Sequence, residues 1–342
     1  MATSSHATSH DGEREMEAEN IVEAKDLVKW YTLRGSFLDT LTGKKIFVRA
    51  VDGASFKIRQ GETFGLVGES GSGKTTIGRL ILNLIPCTSG KLYFDGVDVD
   101  SLLKRDELKF RKEAQIIFQD PFSSLNPRMT VYNLIGESID VHDLARNRKE
   151  KEEMIIKSME AVDLIPIKEI INKYPNELSG GQMQRIAIAR ALVLNPKFIV
   201  CDEPVSMLDA SIRANTLNLL LSLRKSFNIS LLFITHDIAV ARYVSHRIAV
   251  MYLGKIVEIG STDEITSRTL HPYTKALFSA APRPDPIVEI GEVNIKGEIP
   301  DPINMPPGCR FHPRCPLAQD VCSRVEPSLE EKHGHLVACH LA

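Results

Sequence analysis

The 342-residue chain predicts an α/β fold built on a parallel sheet, and three observations carry that prediction. Short continuous apolar runs at Thr63–Val67, Phe198–Cys201 and Leu231–Ile234 are of the kind buried on both faces of a parallel sheet. The first run leads into a glycine-rich loop and then into Lys74, Ile77, Leu80, Ile81 and Leu84 at helical spacing, giving strand, loop and helix. A helical stretch from Gln182 to Leu194, stopped by Pro196, precedes the second run.

The remaining elements follow in chain order. Residues 1–20 are rich in Ser, His, Glu and Ala and lack the apolar core of a signal peptide, so a disordered leader is expected and export is not. Ile21–Lys29 and Val48–Ile58 alternate apolar and polar residues, as half-buried antiparallel strands do, with a polar connection around Arg34–Lys45. They predict an N-terminal antiparallel β subdomain. Between Phe122 and Ser179 strand signals give way to charged helical stretches such as Arg146–Met159, which predicts a helical subdomain at about 120–180 inside a main domain of 21–280. Past Ala280 the prolines at 282, 284, 286, 300, 302, 306 and 307 favour an extended connection to a separate C-terminal unit, 281–342 in all.

Composition narrows the function classes. With 43% hydrophobic and 25% charged residues the chain is globular rather than collagen-like, mucin-like or wholly disordered. Lys plus Arg number 42 against 44 Asp plus Glu, so no global basic field draws it to nucleic acid, and no nucleic-acid partner is expected. No apolar stretch approaches the ~20 residues that span a bilayer, so any membrane role is peripheral. Six cysteines without an export signal suit reduced thiols or metal ligands better than disulfides.

Gly68, Glu69, Ser70, Gly71, Ser72, Gly73, Lys74 and Thr75 fit GxxxxGK[ST], the pattern of a phosphate-binding loop. Between a buried strand and a helix N-terminus, its backbone N–H groups converge on one anion. Lys74 is expected on the β and γ phosphates, the Thr75 hydroxyl on Mg²⁺, and Thr76 beside them. Asp202 and Glu203 end another apolar run. Because side chains alternate along a strand, Asp202 is placed to face the metal and Glu203 to take a proton from water. The bland alternative is an acidic helix cap. Cys201, inside the run, reads as a small core residue.

Leu178, Ser179, Gly180, Gly181 and Gln182, taken with the phosphate loop and the two carboxylates, resemble the nucleotide-binding subunit of an ABC transporter. A P-loop NTPase core of the ABC ATPase kind is the fold this implies, with ATP and Mg²⁺ bound and ATP hydrolysed. The resemblance assigns Gln119, in Ile117–Pro121, to the Mg²⁺ ion and the attacking water. It assigns His236, after Ile234 and Thr235, to the γ phosphate, and Asp209 to a loop that communicates between two sites, where Met207 replaces the usual small residue. Tyr31 is the best match for the aromatic that stacks on adenine, with Trp30 and Phe47 as rivals.

Ser123–Arg128 and His271–Thr274 narrow the resemblance to the ATPases of oligopeptide and dipeptide importers, in particular the F-type subunit of the pair. It implies a peripheral protein on the cytoplasmic face of the membrane. Its partners would be a second ATPase subunit, forming a heterodimer, two transmembrane permease subunits and an extracellular substrate-binding protein. Relatives carry oligosaccharides or nickel instead. A soluble ABC ATPase of repair or translation is the competing class, although such proteins usually carry two cassettes or a long coiled-coil insertion. Cys309, Cys315, Cys322 and Cys339 lie close together in the C-terminal unit. Some members of the resembling family carry a [4Fe–4S] cluster there, and zinc or a metal-free cap are the alternatives.

Overall fold

The computed structural model describes residues 19–33, 46–279 and 295–342. The expected leader up to residue 18, the Arg34–Lys45 connection and the prolines from Pro282 to Pro286 lie outside the described residues. The strands are β1 (Asn20–Leu33), β2 (Ile46–Arg59), β3 (Thr63–Val67), β4 (Ser89–Phe94), β5 (Val97–Asp98), β6 (Ala114–Ile117), β7 (Phe198–Asp202), β8 (Ser230–Thr235), β9 (Arg247–Tyr252), β10 (Lys255–Ser261), β11 (Glu330–Lys332) and β12 (His335–Val337).

They form a four-stranded sheet, β2-β1-β4-β5, and an eight-stranded sheet, β11-β12-β10-β9-β3-β8-β7-β6. The smaller sheet is antiparallel throughout, as the alternating patterns of its first two strands require. In the larger sheet β6, β7, β8, β3 and β9 run parallel. The uninterrupted apolar runs are explained by the layers on either side. Ile199, Cys201, Leu231 and Phe233 join one core, while Phe198, Val200, Leu232 and Ile234 join the other. Alternate residues therefore meet different layers, and each fully buried Leu, Ile or Phe contributes roughly 1.5–3 kcal/mol.

Helices Val131–Val141, Arg148–Ala161 and Gly180–Leu192 dominate the insertion. Thr130 and Asn147 start the first two by accepting the N–H of Asn133 and of Glu150. Leu134, Ile135, Ile155 and Met159 pack with Met183 and Ile186 in a shared core. Among the described residues no helix is long and apolar enough to cross a membrane.

The C-terminal residues extend the main sheet: β12 pairs antiparallel with β10 through Glu258↔Val337 and Ile259↔Leu336, and β11 folds back on β12. Their contact with the rest of the molecule is an aromatic core. Phe311 lies 5.3 Å from Tyr252 and 5.4 Å from Tyr273, ring centre to ring centre, and the two tyrosines are 4.7 Å apart.

Candidate nucleotide site

The phosphate loop joins β3 to the helix Lys74–Ile81. The helix has Gly73 at its N-cap and no side-chain cap, so its first N–H groups remain available to an anion. Gly73 has φ 108°, and a Cβ there would strike the carbonyl of Ala50. Only glycine fits. The Lys74 Nζ donates to the carbonyls of Gly68 at 2.8 Å and Glu69 at 2.9 Å. Burial pulls its ammonium below the usual lysine range, against the opposing charges of Glu203, Asp202 and Glu69.

Parallel strands deliver the other groups to the same edge of the sheet. Gln119 follows β6, Glu203 follows β7 and His236 follows β8, so all three stand beyond the carboxyl ends of neighbouring strands, where α/β sheets hold ligands. The Gln119 Nε2 donates to Glu203 Oε2 at 3.1 Å, and His236 Nδ1 lies 3.0 Å from Glu203 Oε1. Glu203 sits at φ 48°, unusual for a residue with a side chain and of the sort found at functional turns. The Thr75 hydroxyl donates to Asp202 Oδ1 at 3.0 Å. Burial raises the Asp202 carboxyl above its usual range, and the Thr75 hydrogen bond opposes it. The Thr75 hydroxyl, Asp202 carboxylate and Gln119 amide are hard oxygen donors, the chemistry that suits Mg²⁺.

A cleft of about 810 Å³ opens here, lined by loop residues Gly68–Gly71 and Gly73–Thr76 together with Gln119, Glu203 and His236. Tyr31, Trp30 and Phe47 are not among its lining residues. Val48, Arg49 and Ala50 take that wall. The Trp30 Nε1 donates to Asp52 at 3.0 Å and its ring lies under the Arg49 guanidinium, which occupies it elsewhere. Phe47 packs 6.0 Å from it.

The Ser179 segment is also absent from the cleft. Ser179 caps the helix Gly180–Leu192, its hydroxyl accepting the Gln182 N–H at 3.3 Å while the Gln182 side chain accepts the Ser179 N–H at 3.0 Å. A Cβ on Gly181 would approach Ile212 to 2.9 Å, so this helix packs closely on Ala210–Phe227. Asp209 is exposed just before that second helix and caps it with no side-chain bond. Met207 is 65% exposed, so its bulk turns outward and leaves the loop packing undisturbed.

Four residues of the site escape sequence reasoning. Pro302 and Met305 reach the cleft from the C-terminal region. The Tyr273 hydroxyl accepts the Glu69 N–H at 2.9 Å, and Arg314 holds the Glu69 carboxylate from 245 residues away. No local pattern signals a contact of that separation.

The expected iron–sulfur or zinc ligation by Cys309, Cys315, Cys322 and Cys339 is not supported. The four are free thiols, and among the described residues no group of three or more His, Cys, Asp or Glu is arranged to hold a metal ion. Burial, and then the neighbouring cysteines, push the Cys309 thiol up to about 11. Cys309 and Cys315 pack on the aromatic core, Cys322 is 6% exposed on a short helix, and the Cys339 sulfur accepts the Leu341 N–H. Only Cys322 is buried, and the other three are half-buried.

The strand order, the phosphate loop and the acidic strand end define an ATP-binding cassette. Residues 51–206 match the family model of ABC transporters, and 257–322 match the oligopeptide/dipeptide transporter C-terminal region. YkfD of Bacillus subtilis (strain 168) is 48% identical over 302 residues, 87% of this chain and 91% of that protein. The oligopeptide transport ATP-binding protein AppF of the same organism is 44% identical over 327 residues, 94% of this chain and 98% of that protein. Among solved structures, the dimeric ATP-binding cassette MJ0796 bound to ADP and Pi superposes with a TM-score of 0.61 at 28% identity, covering 70% of this chain and 98% of that one. The chain therefore belongs to the ABC transporter ATP-binding proteins of the oligopeptide/dipeptide type, and it is an ATPase of that family.

Proposed function

We propose that this chain is the ATP-hydrolysing subunit of an importer for oligopeptides or dipeptides, working peripherally on the cytoplasmic face of the membrane beneath two permease subunits. The observation that supports it most is the joint presence, on one chain, of an intact carboxylate–glutamine–histidine cluster and the oligopeptide/dipeptide-type C-terminal region. A groove beside Gln119, lined by Phe118, Leu84, Val141, Glu137 and Arg190, is a suitable face for the permease, because it touches the segment that carries the catalytic glutamine. A second ATPase subunit and an external substrate-binding protein complete the proposed assembly.

The phosphate loop N–H groups and Lys74 bind the β and γ phosphates. Thr75, Asp202 and Gln119 would hold Mg²⁺, which would supply positive charge against the phosphates. Gln119 orients the attacking water and Glu203 takes its proton. His236 holds the Glu203 carboxylate and stabilises charge on the γ phosphate. Ser179 is exposed at the start of its helix, with Gly180 and Gln182 half-buried beside it and Gly181 packed beneath, so this segment serves the nucleotide of the partner ATPase, with Asp209 at the junction. The test is peptide uptake by cells lacking this chain. Wild-type protein restores it, whereas Glu203→Gln leaves uptake absent and lowers ATP turnover of the purified assembly by at least ~10²-fold with nucleotide binding retained. Near-normal turnover would remove Glu203 from the role of base.

A further inference from the structure

We propose that Arg314 is a positioning residue for the nucleotide site, acting through Glu69 to set the phosphate loop. The Arg314 fork meets the Glu69 carboxylate at 2.8 and 3.1 Å, one Nη to each oxygen. This two-point geometry fixes orientation as well as distance. The Arg314 side chain is only 9% exposed and lies over the Tyr252 ring at 5.8 Å, in the aromatic core that joins the C-terminal residues to the sheet.

Glu69 is thus held three ways. Its carboxylate is held by Arg314, its N–H by the Tyr273 hydroxyl at 2.9 Å, and its carbonyl by the Lys74 ammonium at 2.9 Å. The first two partners come from the C-terminal third of the chain. The third is the lysine that meets the phosphates. A shift of Glu69 therefore moves a carbonyl that anchors Lys74 and tilts the peptide that opens the loop.

Stability alone does not account for this arrangement. A buried ion pair gains little over well-packed apolar groups, and the Arg314 Nε is buried with no partner, which adds a desolvation cost. What the pair supplies is a fixed loop. Because the loop grips phosphate alike before and during reaction, its loss weakens binding of substrate and transition state together, raising KM rather than lowering kcat.

The inference rests on the nucleotide site proposed above, and the experiment separates the two. Binding of a fluorescent ATP analogue is measured on the full chain, and KM and kcat on the purified assembly. The variants are Arg314→Gln, Arg314→Lys, Glu69→Gln, the Arg314→Gln/Glu69→Gln pair, and Lys74→Ala. Arg314→Gln and Glu69→Gln are each expected to weaken binding and raise KM about tenfold with kcat within about threefold, and the pair to do no worse than either alone. Arg314→Lys, which keeps charge but not the fork, should fall between. Unchanged affinity, multiplied losses in the pair, or a fall in kcat at constant KM would overturn the proposal. If Arg314→Gln does not fold, Glu69→Gln decides alone, because its side chain is partly exposed. Lys74→Ala binding nucleotide as well as wild type would instead refute the underlying site.

Discussion

Glu203 shows at a single residue what the strand edge does. Its carboxylate meets both Gln119 and His236, three residues far apart in the chain that arrive at one point because β6, β7 and β8 are neighbours. The sequence reading places Glu203 correctly after an apolar strand but treats its side chain as free for water, and the two partners that hold it become visible only when strand order is known. Gly73 makes the sharpest prediction at this scale. A methyl group there meets the Ala50 carbonyl at a φ of 108°. Gly73→Ala is therefore expected to weaken ATP binding about five- to a hundredfold, as measured by equilibrium titration of the folded protein, at a backbone cost on the order of 1–3 kcal/mol. Unchanged affinity would mean that the loop does not form the site.

At the scale of elements, the parallel strands were legible because a strand covered on both faces carries an unbroken apolar run, Phe64–Val67 in β3 and Leu231–Ile234 in β8, with polar residues only at its ends. The Ser179 helix was legible for a different reason, its capping box lying within four residues. The pairing of β12 with β10 was not, since Glu258 pairs with Val337 far along the chain and β12 is only three residues long. The junction beside them predicts a pH response. Burial lowers His271 to about 3, and its Nδ1 accepts the Tyr273 N–H at 3.1 Å. Above the ordinary histidine value both folded and unfolded chains are neutral there and stability is full. As pH falls from about 6.5 towards about 3, the unfolded chain takes up a proton that the folded chain refuses, and stability drops by up to about 1.4 kcal/mol per pH unit. Glu258, raised by burial and bonded to the Leu270 and His271 N–H groups, has the opposite sense: its contribution is present at low pH and lost as pH rises through its folded value. Urea unfolding at stepped pH should show a shallower acid limb for His271→Asn than for wild type, and equal slopes would refute the assignment.

In the whole molecule, one sheet carries the phosphate loop near its middle, the Gln119–Glu203–His236 cluster on one side and the C-terminal strands at its far edge. The cassette and its loop could be read from the chain because each motif is local. The Arg314 contact and the cleft wall of Pro302 and Met305 could not, because they depend on how the last residues dock against β9 and β10. The cysteine spacing was no guide for the same reason: proximity in the chain does not show whether side chains are arranged to hold a metal, and among the described residues no such group is found.

Ser179 lies apart from the cleft of its own chain, and the proposal that its helix completes a partner's site is tested most directly by one comparison. Ser179→Arg is measured twice, for ATP affinity as an isolated chain and for ATP turnover in the purified assembly with its partner ATPase. The expected result is unaltered affinity with turnover reduced at least about thirtyfold, since in the proposed assembly a bulky charge would block the helix start offered to the neighbouring nucleotide. Lost affinity in the isolated chain, or undiminished turnover in the assembly, would contradict it.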